Sequence, residues 1–261
     1  MPISSFEIPS KTKRPLCQAL GLQSPGLVAV AGSGGKTALV EALCRELAAD
    51  GKAVALSTTT HIYPPSARLC DAPWLWGEAI PDTAQIKARL KPGQVVAVAR
   101  GMSAQGKLQG LTAPQMAALA ASKAWVMVEA DGAARKPLKA WAPHEPAWPG
   151  GESLRVVLLG ASALGRALTP ELVHRHELFA LEAGIKLGEE ITPRALTQAL
   201  LSPLGPFRDR PPGVALRLVI NQTDAASPQL VDALAGEIKA QAGGWLRVLK
   251  GKLRWGGLEP V

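Results

Sequence analysis

The stretch "VAVAGSGGKT", Val28 to Thr37, decides the fold. An apolar run suited to a buried strand breaks into three glycines, Gly32, Gly34 and Gly35, around Ser33, and closes on Lys36 and Thr37. Just downstream, Leu39, Val40, Leu43 and Leu47 fall on one face of a predicted helix. Strand, glycine loop and helix in that order make a phosphate cradle. Glycines let successive N–H groups turn toward anionic oxygens, and the helix N-terminus adds its partial positive charge. Lys36 is then placed for the terminal phosphates and Thr37 for Mg²⁺. The general spacing G-x-x-x-x-G-K-[ST] puts its first glycine where this chain has Val30. A shorter form, G-x-x-G-K-T, runs from Gly32 to Thr37 and resembles the loop of Mur-type ligases as well. The match is partial, so the loop needs companions elsewhere in the chain.

Two stretches supply them. In "WVMVEADG", residues 125–132, residues two apart on an extended strand share a face, so Glu129 and Asp131 project together from the strand's C-terminal end. That end is where open α/β sheets bind ligands. Asp131 is the expected carboxylate for the metal, directly or through water, and Glu129 the expected water-orienting base. In "VINQTD", residues 219–224, Asn221 and Asp224 have the N-x-x-D spacing that reads a guanine ring, with Gln222 where a lysine is usual. ATP and GTP both remain open.

The rest of the chain alternates short apolar runs with helical patterns, which predicts an α/β three-layer sandwich around a mostly parallel sheet, like that of P-loop NTPases. Strands are expected at "LVAVA" (27), "AVALST" (53), "QVVAVA" (94), "AWVMVEA" (124), "RVVLLG" (155), "ALRLVIN" (215) and "WLRVL" (245). Most are apolar on both faces, as buried parallel strands must be. Asp82 with Gln85 and Thr112 with Gln115 fit capping boxes. Thr169-Pro170, Thr192-Pro193 and Ser227-Pro228 place proline at a first helical position, so helices are expected near 82, 112, 170, 193 and 228. One domain over residues 16–261 is expected, with a flexible segment at 1–15 and a helical insert at about 161–212. The Pro- and Trp-rich run 131–152 is too long for an ordinary strand-to-helix turn and reads as a functional loop.

Composition narrows the function classes. Lys and Arg outnumber Asp and Glu by 29 to 21, which favours an anionic ligand without naming one. The densest basic patch, Arg247, Lys250, Lys252 and Arg254, reads as a solvated edge and not as a nucleic-acid site. Cys17, Cys44 and Cys70 are odd in number and too widely spaced for a zinc site or redox pair, which points to a reducing compartment. No stretch reaches the ~18 apolar residues of a membrane span. A cytoplasmic protein with no membrane or nucleic-acid partner is expected.

Taken in order, "AGSGGKT", "STTTHI", "GKLQGL", "VEADGAARKPLKAWAPHEP", "LLGASALGRAL" with "HRHE" after it, and "VINQTD" resemble the YqeC family over residues 15–225. The resemblance implies a P-loop fold and an accessory role for selenium-dependent molybdenum hydroxylases, in forming or inserting a selenium cofactor. It also implies ligand-handling roles for Lys36, Thr37, Thr58, Thr59, Thr60, His61, Glu129, Asp131, Lys139, His144 and Glu145. Threonine hydroxyls at the end of the second strand suit a γ-phosphate, a Mg²⁺ water or a second anion such as selenide or selenophosphate. His61 suits proton transfer near neutral pH. Arg175, between His174 and His176 on an expected helix, is a candidate phosphate or substrate contact. Three functions stay open: a Mg²⁺-linked enzyme or switch acting on ATP or GTP for a selenium donor and a molybdenum hydroxylase; a non-catalytic carrier holding an anionic cofactor; and a Mur-like ATP-dependent ligase.

Overall fold

Every one of the seven expected strands forms, and all seven lie side by side in one sheet. The computed structural model describes residues 15–253 and 257–261. Of the segment expected to be flexible only Pro15 is described, and it opens a helix; residues 1–14 and Arg254 of the basic patch lie outside the described residues. In chain order the strands are β1 (Leu27–Gly32), β2 (Val54–Thr58), β3 (His61–Ile62), β4 (Trp74–Leu75), β5 (Val95–Ala99), β6 (Gly101–Met102), β7 (Leu108–Gln109), β8 (Trp125–Glu129), β9 (Leu138–Lys139), β10 (Leu154–Gly160), β11 (Val173–His174), β12 (Ala215–Asn221), β13 (Arg247–Lys252) and β14 (Gly257–Pro260). The helices are α1 (Pro15–Leu20), α2 (Lys36–Ala49), α3 (Thr83–Arg89), α4 (Ala113–Ala121), α5 (His176–Ala183), α6 (Pro193–Leu201) and α7 (Pro228–Ala242).

The main sheet runs β14-β13-β12-β10-β1-β8-β2-β5-β4. Its neighbours pair parallel, save the antiparallel edge pair β13-β14. Alternation along each strand sends side chains to two covered faces. Val28 and Val30 pack with Leu39, Val40, Leu43 and Leu47 of α2. On the other face, Leu27 and Ala29 pack with Ile86 of α3 and Met116 and Leu119 of α4. Farther along that face Leu218 and Ile220 meet Leu196 and Leu200 of α6 and Leu234 and Ile238 of α7. Each such buried aliphatic side chain contributes about 1.5–3 kcal/mol, so the three layers hold because both faces of the sheet are apolar. No helix among the described residues is long and apolar enough to cross a membrane.

Local signals set the helix starts. Both capping boxes close, Asp82 with Gln85 and Thr112 with Gln115. Thr192 accepts from the Ala195 N–H at 3.2 Å ahead of α6, and Pro228 opens α7. The helix expected from Pro170 does not form. Thr169 O takes the N–H groups of Leu172 and Val173 in a turn, and residues 173–174 then pair with β9 as β11. Tertiary pairing thus draws the backbone into an extended form before α5 begins at His176. His174 therefore sits on a strand and His176 at a helix start, and the expected helical insert is a mixture of turn, strand and two helices. One region of the fold concerns function: the C-terminal ends of β1, β8 and β2, with β10 and β12 beside them, converge on the glycine loop.

Candidate functional site

The glycine loop is shaped by what it lies against. At Gly32 the backbone has φ 97°, and a Cβ there would stand 2.1 Å from Leu158 O of β10. At Gly34, φ is 69° and a Cβ would stand 2.4 Å from Gly160 N. The loop is thus pressed onto the next strand, at a distance only glycine allows. Its first N–H groups are spent inside the protein: Gly32 N–H on Asp131, Ser33 N–H on Leu158 O at 2.9 Å, Gly34 N–H on Lys136 O at 3.3 Å. The Ser33 hydroxyl donates to Pro137 O at 2.8 Å. What remains for an anion is the start of α2. Its first N–H groups lack intrahelical acceptors, and Gly35 caps it without a side chain. The Asn221 amide donates to Gly34 O at 2.7 Å and accepts from Leu253 N–H at 3.0 Å, bracing the loop from β12.

Lys36 is nearly buried, at 6% exposure, and folds back over the loop. Its Nζ donates to Gly32 O at 2.7 Å and lies 3.2 Å from Asp131 Oδ1 and 3.8 Å from Glu129 Oε1. The Thr37 hydroxyl donates to Glu129 Oε2 at 3.1 Å. Burial raises the Glu129 carboxyl above its ordinary value, against the pull of Lys36 and the Thr37 hydrogen bond. Asp131, which the sequence nominates for metal, is fully buried and its oxygens are taken. Gly32 N–H reaches both at 3.0 Å, Lys139 Nζ reaches Oδ2 at 2.9 Å and Trp141 Nε1 reaches Oδ2 at 3.0 Å. Of the two acids it is Glu129 that faces the Thr37 hydroxyl.

A chain of buried charges leads away from Asp131. Lys139 Nζ also donates to Gly132 O at 2.6 Å and to Glu145 Oε2 at 2.8 Å. Arg175 grips Glu145 with both terminal nitrogens, Nη2 to Oε1 at 3.1 Å and Nη1 to Oε2. Burial works against the Glu145 charge, but hydrogen bonds and charge from Arg175 and Lys139 outweigh it and hold the carboxyl down to about 2. Arg175 stands at φ 58°, a left-handed conformation rare for a residue with a Cβ, at the junction of β11 and α5. The β9-β11 pair sets Lys139 directly beside His174, one residue from Arg175. Loop 131–152 is therefore closed on itself, and tied to Lys36 and to the start of α5, by ion pairs.

The threonines divide. Thr58 Oγ1 donates to Glu129 O at 2.8 Å and accepts from Thr60 N–H at 3.0 Å, while Thr59 Oγ1 donates to Ala147 O at 2.7 Å. These bonds position the end of β2 beside β8. His61, exposed at the start of β3, lines a cavity of about 750 Å³ together with Lys36, Thr37 and Glu129. His144 and Asp224 are exposed and lie outside that lining. Four residues to which the sequence assigns no site role also belong here. Trp141 binds Asp131, and its signal was an indole two positions after Lys139. Tyr63, Lys107 and Arg135 also line the cavity; Lys107 lies in "GKLQGL" and Arg135 in "VEADGAARKPLKAWAPHEP", but neither residue type there marks a role, and Tyr63 stands just past "STTTHI". Gln222, in place of the usual lysine, accepts from the Ser162 hydroxyl at 2.7 Å, and both residues line the same cavity.

Residues 28–177 match the family described as YqeC protein. The uncharacterized protein YqeC of Escherichia coli (strain K12) is 30% identical over 208 residues, 78% of this chain and 78% of that protein.

Proposed function

This chain belongs to the YqeC family, and we propose that it is a Mg²⁺-dependent P-loop protein that binds ATP or GTP and acts on the terminal phosphoryl group. The observation that carries the reading is the Thr37–Glu129 contact of 3.1 Å beside Lys36, at the start of a helix whose preceding loop only glycine can form. A hydroxyl and a carboxylate are hard oxygen ligands of the kind Mg²⁺ takes alongside phosphate oxygens. Among the described residues no group of three or more His, Cys, Asp or Glu side chains is placed to hold a metal, which suits an ion that relies on the nucleotide for its other ligands. When bound, the metal neutralises phosphate charge and orients the terminal group.

The chain's own groups would then divide the work. The first N–H groups of α2 hold phosphate oxygens, and Lys36, released from Gly32 O, follows the terminal phosphate. Thr37 and Glu129 would hold the metal, directly or through water, and in the second case Glu129 is the carboxylate placed to orient that water. Asp131 keeps the loop in shape, Gly32 N–H and Lys36 being its loop partners. The wider role we propose is formation or insertion of a selenium cofactor for a molybdenum hydroxylase, in the cytoplasm, supported by the motifs that follow the loop.

Lys36→Ala tests the loop: it should abolish ATP and GTP binding at millimolar nucleotide with Mg²⁺, and unchanged affinity by calorimetry would refute the assignment. Phosphate release from both nucleotides, with and without a selenium donor, separates turnover from carriage. Binding with no release in any condition would make the protein a carrier.

A further inference from the structure

The cavity lined by Lys36, Thr37 and Glu129 is lined as well by Tyr63, Lys107 and Arg135. Tyr63 is 56% exposed there. Lys107 Nζ lies 5.1 Å and Arg135 Cζ 5.4 Å from its ring centroid. Cation–ring contacts of this kind are attractive but weak at an exposed site. Two cations thus meet one exposed ring, and among the described residues neither is paired with a carboxylate.

The arrangement is held by the fold. Tyr63 directly follows β3, Lys107 directly precedes β7, and the β3-β7 pairing of His61 with Gln109 and Ile62 with Leu108 brings the two together. Arg135 arrives on a turn in which Ala134 (φ 47°) and Arg135 (φ 61°) are both left-handed. Such a pair is strained, and it persists only where surrounding structure fixes it. Here Lys136 fixes it. Its N–H bonds Ala133 O at 2.9 Å, its carbonyl accepts from Gly34 of the glycine loop, and its Nζ donates to Pro170 O. The strained turn that presents Arg135 is thus bonded directly to the loop.

We propose that Lys107, Arg135 and Tyr63 form the seat of a second, anionic substrate, a small molecule bearing a phosphate or comparable tetrahedral oxyanion. An anion bound by Lys107 and Arg135 would lie in the same cavity as Lys36, Thr37 and Glu129. The inference rests on the nucleotide reading in taking the glycine loop as the seat of the first ligand.

The test uses the full chain, chloride buffer of fixed ionic strength, and calorimetry in two stages. A non-hydrolysable ATP or GTP analogue with Mg²⁺ is titrated first, and inorganic phosphate is then titrated into the analogue-saturated protein. One saturable phosphate site is expected in the unaltered chain, weakened at least tenfold by Lys107→Ala and by Arg135→Ala, and two- to fivefold by Tyr63→Leu. Analogue affinity should stay within twofold in all three, and Lys87→Ala, which removes a charge from the exposed face of α3, should leave both affinities unchanged. The proposal is overturned if the saturated chain takes up no phosphate. It is equally overturned if Lys107→Ala and Arg135→Ala bind phosphate as well as the unaltered chain, or if they lose the analogue in the same proportion. Failure of the analogue alone, with phosphate still bound through Lys107 and Arg135, would instead sink the nucleotide reading and leave this site standing.

Discussion

Replacing Glu145 by Gln removes one negative charge from the middle of the buried chain while keeping the side chain's shape. The carboxyl is held at about 2 against an ordinary 4.5, the burial penalty being outweighed by Arg175 and Lys139. At 1.36 kcal/mol per pH unit, that difference contributes about 3 kcal/mol to folding at neutral pH. The sign follows from the depression. An acid whose folded value lies below its unfolded one stabilises the native state fully above about pH 4.5, and loses that contribution as pH falls toward 2. Lys139 keeps Asp131 and Gly132 O after the substitution, so the loss stays near the low end of the 3–5 kcal/mol typical of breaking a buried pair. Urea unfolding followed by tryptophan fluorescence, at steps from pH 7 to the lowest pH with a cooperative native transition, gives the stability difference between the two proteins. It should be about 3 kcal/mol at pH 7 and shrink steadily below pH 4. A difference below about 1 kcal/mol at pH 7, or one that does not change between pH 5 and 2.5, would refute the account of this charge chain.

Gly34→Ala should cost about 2–4 kcal/mol and abolish nucleotide binding, because the new methyl meets Gly160 N at 2.4 Å. Gly106→Ala, at nearly the same φ but with nothing within 4 Å, should cost only about 1 kcal/mol, both variants being measured by urea unfolding. Glu182 behaves oppositely to Glu145. Burial pushes it up to about 7, only partly offset by Ser202 and Arg208, so its ionisation weakens the fold as pH rises from 4.5 through 7. Glu182→Gln should therefore gain about 1–3 kcal/mol at pH 8 and nothing at pH 4, read from urea midpoints at the two pH values.

The seven main strands were legible because buried parallel strands are apolar on both faces, a pattern that survives without any neighbour to explain it. Both capping boxes were legible for a similar reason: all their partners lie within four residues. The edge strands β4 and β14 were not, since Trp74–Leu75 and Gly257–Pro260 are too short to show a period. Pro170 misled because a proline after threonine marks any turn, and pairing of 173–174 with β9 involves residues some 35 positions away. In the site, residue types were readable and their parts were not. Spacing put Glu129 and Asp131 on one face, but only the fold reveals that Trp141 and Lys139 occupy Asp131 while Thr37 turns to Glu129. Tyr63, Lys107 and Arg135 form a cluster across three segments, and no local pattern announces that.

The braces of the glycine loop also set a timetable. Gly32 is fixed by a residue 99 positions later, and Gly34 O by one 187 positions later, which in turn leans on Leu253. Contacts of such separation form late, because long loops must close before they are rewarded. Helix α2 can coil early, yet the turn before it acquires its shape only when β12 and the end of β13 have docked. A growing chain on the ribosome therefore carries the motif for most of its synthesis without the site. A ligand that recognises the finished loop would meet only fully folded molecules, and would draw the last step of folding forward by mass action.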